Sequence, residues 1–343
     1  MKKIINVVFL WKPERKIKSF FRKNLSGIKN MRLIFPSDLS EANLMKLSEN
    51  AHVYIGWRPS AQLLENSHKL IALINPGTGI KHHIPVFREL NKKRKVLLIN
   101  SHGHAYSTAQ HTVAMLLDFT NKISLHHKKM EEGRWRTSDE KDIFSSSIRL
   151  KNKNIGLLGY GAINKYVHKF LSGYENQFHI FKLTEDKSKS DGKNNIKFYS
   201  KIRFNEFLKN TDILIIAVPH TKLTEGMIGM KELKLLGKEA FVINVARGII
   251  IDEKSLYTAL KNKIISGAAI DVWYNYRPKK DKAGREYPYK YPFHKLDNVL
   301  LSPHRAASPF DDTERLEDII ENIKRISAGR SDFINVVDLQ REY

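Results

Sequence analysis

Short apolar runs recur through the first hundred positions, each followed by a stretch in which apolar and charged residues mix at helical spacing. Residues 4–10, 32–35, 53–57, 70–75 and 96–100 are rich in valine, isoleucine and leucine, which predicts strands. Between them, 41–48, 60–65 and 86–92 predict helices. The runs are apolar throughout rather than alternating, so the strands are covered on both faces. Strand–helix alternation of this kind predicts a parallel sheet in an α/β fold. A long helical stretch over 107–132 follows, and a second strand–helix series starts at Asn154. No internal repeat or low-complexity tract interrupts the pattern.

At 343 residues the chain is long enough for two domains with separate cores. Lysine and arginine number 59 against 36 acidic residues, a net charge of +23. These cations punctuate nearly every helix and loop instead of gathering on one aromatic-lined face. The pattern therefore predicts a solvated basic surface that attracts an anionic substrate and a pyrophosphate cofactor, and no nucleic-acid partner. No run approaches the ~20 apolar residues of a membrane helix, so no membrane partner is expected. The start, MKKIINVVFLWKPE, lacks a small-residue cleavage site and reads as a first strand. Cysteine is absent, which excludes disulfides and thiolate zinc sites and makes a cytoplasmic location the default. The pairs His82-His83 and His126-His127 point apart on any regular element, so no metal is expected.

Residues 155–164, IGLLGYGAIN, run from an apolar strand into a glycine turn. Gly159 permits the tight bend, and Gly161 lets backbone approach a pyrophosphate. The third glycine slot of such a turn holds Asn164. An acid that binds the ribose belongs at the end of the next strand, over 178–183. There Glu185 or Asp186 would favour NAD, whereas Lys182, Thr184 or Lys187 would favour the 2′-phosphate of NADP. Further on, FVINVARG ends in Arg247-Gly248, and LSPHRA carries His304. An arginine can hold a carboxylate with two parallel hydrogen bonds, and a histidine can pass a proton to a carbonyl oxygen.

The order of these segments resembles the D-2-hydroxyacid dehydrogenase family over nearly the whole chain. The resemblance is carried by Asn244 to Gly248, Ile251-Asp252-Glu253 with Ala259-Leu260, Gly267 to Val272, and Pro303-His304. AVPHTKLTEGMI (217–228) and INVVD (334–338), the latter like the family's C-terminal strand, add to it. It implies two doubly wound parallel-sheet domains, a Rossmann NAD(P)-binding domain and a discontinuous flavodoxin-like substrate domain. The expected bounds are 105–303 for the first and 1–104 with 304–343 for the second, with hinges near 103–106 and 302–307.

The resemblance also implies site residues. Tyr160, Ala162, Ile163, Thr184, Val218, Pro219, Thr224, Ala246 and Asp271 join Gly159 and Gly161 as the NAD(H) or NADP(H) site. Gly77, Thr78 and Gly79 hold a substrate carboxylate with Arg247, and Arg58 meets an acidic tail as in phosphoglycerate dehydrogenase. His304 is the general acid, and Asp271 contacts the nicotinamide carboxamide or supports the catalytic face. Relatives carry a glutamate five residues after the aspartate, where this chain has Tyr276. A phenol orients the imidazole without stabilising its charge, so a lowered His304 pKa is expected. Formate dehydrogenases place a glutamine there. Gln110-His111 stands where the family shows Glu-His, and the basic stretch 277–291 reads as a lid or a dimer contact. The expected protein is a 2-keto acid reductase acting on small anionic 2-keto or 2-hydroxy acids, as a homodimer. The alternative is a catalytically weak dinucleotide sensor.

Overall fold

A computed structural model describes residues 4–135, 146–183, 195–309 and 312–343. The chain divides into two compact units, Met1–His104 with Pro309–Tyr343, and Ala105–Ser308.

The first unit holds a parallel sheet of β1 (Ile5–Phe9), β2 (Met31–Ile34), β3 (Val53–Ile55), β4 (Ala72–Ile74) and β5 (Leu97–Ile99), in the order β2-β1-β3-β4-β5. The helices α1 (Arg15–Leu25), α2 (Glu41–Ser48), α3 (Ala61–Asn66) and α4 (Ile84–Lys93) connect the strands. Successive residues of β1 serve opposite cores: Val7 and Phe9 pack with Phe21 of α1, while Val8 packs with Leu63 and Phe87. Burial on both faces is the reason these strands are apolar throughout. Helix α1 escapes the strand–helix reading above because it is dominated by lysine and arginine. No side chain caps its N-terminus and its first turn holds no acid.

The second unit, Ala105–Ser308, begins with α5 (Ala105–Asn121) and α6 (Ile123–Glu131). The single helix expected over 107–132 is thus broken, because Lys122 adopts a left-handed conformation at φ 58°. The sheet comprises β6 (Asn154–Leu158), β7 (Gln177–Phe181), β8 (Ile196–Tyr199), β9 (Ile213–Ile216), β10 (Phe241–Asn244), β11 (Gly267–Ile270) and β12 (Val299–Leu301). Its order is β12-β11-β10-β9-β6-β7-β8, all parallel. Connecting helices are α7 (Ala162–Leu171), α8 (Phe204–Lys209), α9 (Met230–Leu236) and α10 (Glu253–Lys261). The last helix, α11 (Glu317–Ser327), belongs to the first unit and packs Ile319, Ile323 and Ile326 into the core around β1.

Two expectations change. INVVD is not a strand: the backbone of Asn335 turns left-handed at φ 59°, leaving only the isolated bridge Ile99–Val336. The second division falls after Ser308 and not at 303, because hydrogen bonds from Ser302, Arg305 and Ala306 to Asp271 tie that segment to the second unit. Among the described residues no helix is long and apolar enough to cross a membrane.

Candidate active site

In open parallel sheets, ligands bind outside the carboxyl ends of the strands, where the strand order reverses. In the second unit that point lies between β6 and β9. Gly159, directly after β6, sits at φ 85°, and a Cβ there would lie 2.8 Å from Val218 Cγ1 and 2.9 Å from the Ala217 carbonyl. Only glycine meets both demands. Gly161 then starts α7 without a side-chain cap, the first turn (Ala162, Ile163) holds no acid, and a Cβ on Gly161 would meet nothing within 4 Å. Open space before uncapped N–H groups of a ten-residue helix fits a pyrophosphate.

Asn164, in the third glycine slot, is fully buried and reinforces the turn. Its amide donates to the Gly159 carbonyl at 2.6 Å, with longer contacts to Leu158 and Ile215 carbonyls. Tyr160 turns aside, its hydroxyl 2.6 Å from His168 Nδ1, and Lys182 Nζ stands 5.9 Å over its ring. Thr184, Glu185, Asp186 and Lys187 lie outside the described residues. Val218 and Pro219 follow β9 at the same edge. Thr224 is buried; its hydroxyl donates to the Pro219 carbonyl at 2.6 Å and accepts from Thr221 N–H at 2.9 Å, so it shapes this loop from within.

The neighbouring strands β10, β11 and β12 deliver the reactive side chains to one edge. After β10, the Asn244 side chain accepts from Ala246 N–H and donates to the Arg247 carbonyl. Gly248 is required because a Cβ would come within 2.5 Å of the Trp273 backbone. Arg247 is half-buried, with Nη1 on the Ala246 carbonyl at 2.6 Å.

Asp271, just past β11, is 1% exposed. Its carboxylate accepts from Ser302 Oγ, from Arg305 N–H at 2.7 Å and from Ala306 N–H at 3.1 Å. These bonds bracket His304, whose backbone is left-handed at φ 57°. Trp273 adds a bond from its indole nitrogen to the Ser302 carbonyl at 2.8 Å. His111 on α5 completes the bracket, its Nε2 3.0 Å from Ser302 Oγ and 3.6 Å from Asp271 Oδ1. Sequence reasoning gave Asp271 to the cofactor or to support of the catalytic face, and missed the Ser302–His111 part. The serine two residues before His304 was the available signal.

Tyr276 meets His304 at a ring-centroid distance of 5.1 Å and 60°, and its hydroxyl accepts from Trp273 N–H at 3.3 Å. Although 53% of Tyr276 is exposed, partial burial raises its phenol pKa, so the phenol stays neutral. Burial lowers the His304 pKa, though part of the residue reaches solvent; the Arg247 charge lowers it further, and Asp271 opposes both. The stretch after Tyr276 is a short arm. Lys280 bridges Glu286 antiparallel, Asp281 accepts from the Ala283 and Arg285 backbones, and Glu253 accepts from Lys290 and Tyr291 N–H.

In the first unit, residues 75–79 follow β4. Asn75 is buried and its amide donates to the Gly77 carbonyl at 2.6 Å, while Gly77 N–H returns to the Asn75 carbonyl at 2.8 Å. Thr78 is exposed and Gly79 partly so. Arg58, after β3, is exposed. His82 Nε2 lies 2.7 Å from the Trp57 carbonyl, and burial, aided by His82 and Arg58, holds the His83 pKa at about 4. Among the described residues no histidine–carboxylate group could hold a metal.

Residues 113–306 match the family model described as "D-isomer specific 2-hydroxyacid dehydrogenase, NAD binding domain". D-3-phosphoglycerate dehydrogenase of Archaeoglobus fulgidus is 31% identical over 249 residues, 72% of this chain and 43% of that protein. Glyoxylate reductase of Pyrococcus furiosus is 27% identical over 91% of this chain and 83% of its own length. The chain spans about half the length of the archaeal phosphoglycerate dehydrogenases it matches. A D-isomer specific 2-hydroxyacid dehydrogenase from Xanthobacter autotrophicus, solved with NADPH and MES, shares the fold at a TM-score of 0.77. It is 22% identical and matches over 99% of this chain and 100% of that one. A glycine turn open to a pyrophosphate, with an arginine and a bracketed histidine on the same strand edge, thus stands in a chain that belongs to the D-isomer-specific 2-hydroxyacid dehydrogenase family.

Proposed function

We propose that this chain is an NAD(P)-dependent 2-hydroxyacid dehydrogenase working mainly as a reductase of small anionic 2-keto acids. The carrying observation is that Arg247 and His304 leave adjacent parts of one sheet edge, beside a turn that fits a dinucleotide. The nicotinamide, when bound, supplies the hydride. Gly159, Gly161, Ala162 and Ile163 hold the pyrophosphate, with Tyr160, Val218, Pro219, Thr224, Ala246 and Asp271 framing the cofactor. Arg247 grips the substrate carboxylate and polarises its carbonyl. In the loop Gly77–Thr78–Gly79 of the first unit, where the Gly77 N–H is spent on the Asn75 carbonyl, Thr78 and Gly79 offer backbone N–H groups to a carboxylate. Arg58 meets a second anionic group. His304 gives its proton to the carbonyl oxygen, and Tyr276 orients the imidazole. Purified protein mixed with NADH or NADPH and a panel of 2-keto acids at about pH 6, just below the ordinary histidine pKa, tests this. Cofactor binding without turnover on any acid would favour a sensor instead.

The lowered His304 pKa carries a sign. A general acid must be protonated, so reduction is present below the His304 pKa and fades as pH rises through it. The midpoint is expected below 6.5, the ordinary histidine value. Tyr276→Glu places a carboxylate against the ring and should raise that midpoint by about one unit. A wild-type midpoint above 6.5, or no shift in the variant, contradicts the role given to Tyr276.

The proposed assembly is a homodimer. Helix α6 buries none of its residues, and Ile123 and Met130 are 58% and 50% exposed. Apolar surface of this kind is normally covered. Light scattering is expected to return the mass of two chains; a single-chain mass at micromolar concentration would remove the proposal. The proposed location is the cytoplasm, and cell fractionation that follows an exported marker would count against it.

A further inference from the structure

The carboxyl edge of the first sheet carries two indoles with different surroundings. Trp11, after β1, packs 5.1 Å from the core ring of Phe9. Trp57, after β3, lies edge-on to Trp11 at 5.1 Å and 61° and is 39% exposed. Its carbonyl is engaged by His82. Trp11 thus holds the ring and His82 the backbone beneath it, while the Trp57 Nε1–H donates to no acceptor among the described residues.

That N–H borders the space left by the missing side chain of Gly77. A Cβ on Gly77 would lie 3.8 Å from Trp57 Nε1 and 3.9 Å from Asn75 Nδ2. The loop itself is rigid: Asn75 and Gly77 exchange two hydrogen bonds, and Ser101 N–H also reaches the Gly77 carbonyl at 3.3 Å. Asn75 Nδ2 is spent on Gly77, so the indole N–H is the donor left facing this space among the groups a Cβ there would meet. It is neutral, directional and fixed in place, and the Arg58 cation is its chain neighbour.

We propose that Trp57 is a specificity-determining residue whose indole N–H donates to an oxygen substituent on the substrate carbon next to the carbonyl, as in a 3-hydroxy-2-keto acid. This rests on the reading of Gly77, Thr78 and Gly79 as the loop that holds the substrate carboxylate. A site built to pair with such an oxygen discriminates against the analogue lacking it, because the donor is then left without a partner.

Trp57→Phe keeps an aromatic ring against Trp11 and removes only the donor and the second ring. The readout is the ratio of kcat/KM for hydroxypyruvate to that for pyruvate, which is expected to fall about tenfold. An unchanged ratio overturns the proposal. So does an equal loss on both substrates, which would assign the indole to the shared carboxylate or to packing. A second measurement does not depend on turnover. The indole N–H proton resonance absent from Trp57→Phe should move downfield when hydroxypyruvate is added with oxidised cofactor, and stay in place with pyruvate. Equal response to both acids overturns the proposal. Absence of turnover with every 2-keto acid would strike the reductase reading, and the resonance would still decide the role of Trp57.

Discussion

His304→Ala is expected to lower kcat for 2-keto acid reduction by about 10²- to 10⁴-fold, the usual contribution of a positioned general acid. The dissociation constant of the nicotinamide cofactor should stay essentially where it was, because the turn at Gly159–Gly161 is held by β6, β9 and Asn164 rather than by His304. The effect is large because no neighbour can take over the proton transfer. Tyr276, whose ring meets the imidazole, has its phenol pKa raised by partial burial and is a poorer acid than an ordinary tyrosine. His304→Gln, which keeps a hydrogen-bonding side chain without a titrating proton, should lose nearly as much. Residual activity above about a tenth of wild type in either variant would mean that the proton comes from elsewhere.

Asp271→Ala is expected to cost about 3–5 kcal/mol of stability, the range seen when buried charged hydrogen-bond networks are broken. The carboxylate is buried and accepts from two backbone N–H groups and a hydroxyl; without it the two N–H groups lack a partner and the Ser302 hydroxyl keeps only His111. The left-handed backbone of His304 costs a further ~1–2 kcal/mol that only a tightly held loop sustains. Once the bracket is gone that loop relaxes, and kcat should fall well beyond what the loss of stability explains at a temperature where the variant is folded. Asp271→Asn keeps one acceptor and should lie between the two. Denaturant midpoints measured beside kcat decide the matter. A loss of stability below about 1 kcal/mol, or a folded variant with full kcat, would show that the bracket does not position His304.

Legibility followed the range of each signal. Strands such as β1, β3, β6 and β10 could be read because a segment buried on both faces is mostly apolar, a property written in three to five adjacent residues. The turn at Gly159 could be read for a local reason too, since its positive φ favours glycine, whereas the crowding by Ala217 and Val218 is tertiary. Helix α1 was missed because five of its eleven residues are lysine or arginine and it lacks a start signal. The break between α5 and α6 was missed because Lys122, unlike glycine, gives no warning that it turns left-handed.

By itself, then, the sequence determined the α/β alternation, the phosphate-facing turn, and the identities of Arg247, His304 and Tyr276 as the chemistry on offer. Tertiary structure alone decided what those residues touch. Asp271 reaches Arg305 and Ala306 across 34 and 35 positions because β11 and β12 are sheet neighbours, and His111 joins them from a helix 191 positions before Ser302. Asn164, a departure from the glycine pattern, became a brace only once β6 and β9 lay side by side. Trp57 faces Gly77 because β3 pairs with β4. Apolar burial is set by short-range composition, whereas the partner of a polar atom depends on which distant strand the sheet order brings beside it.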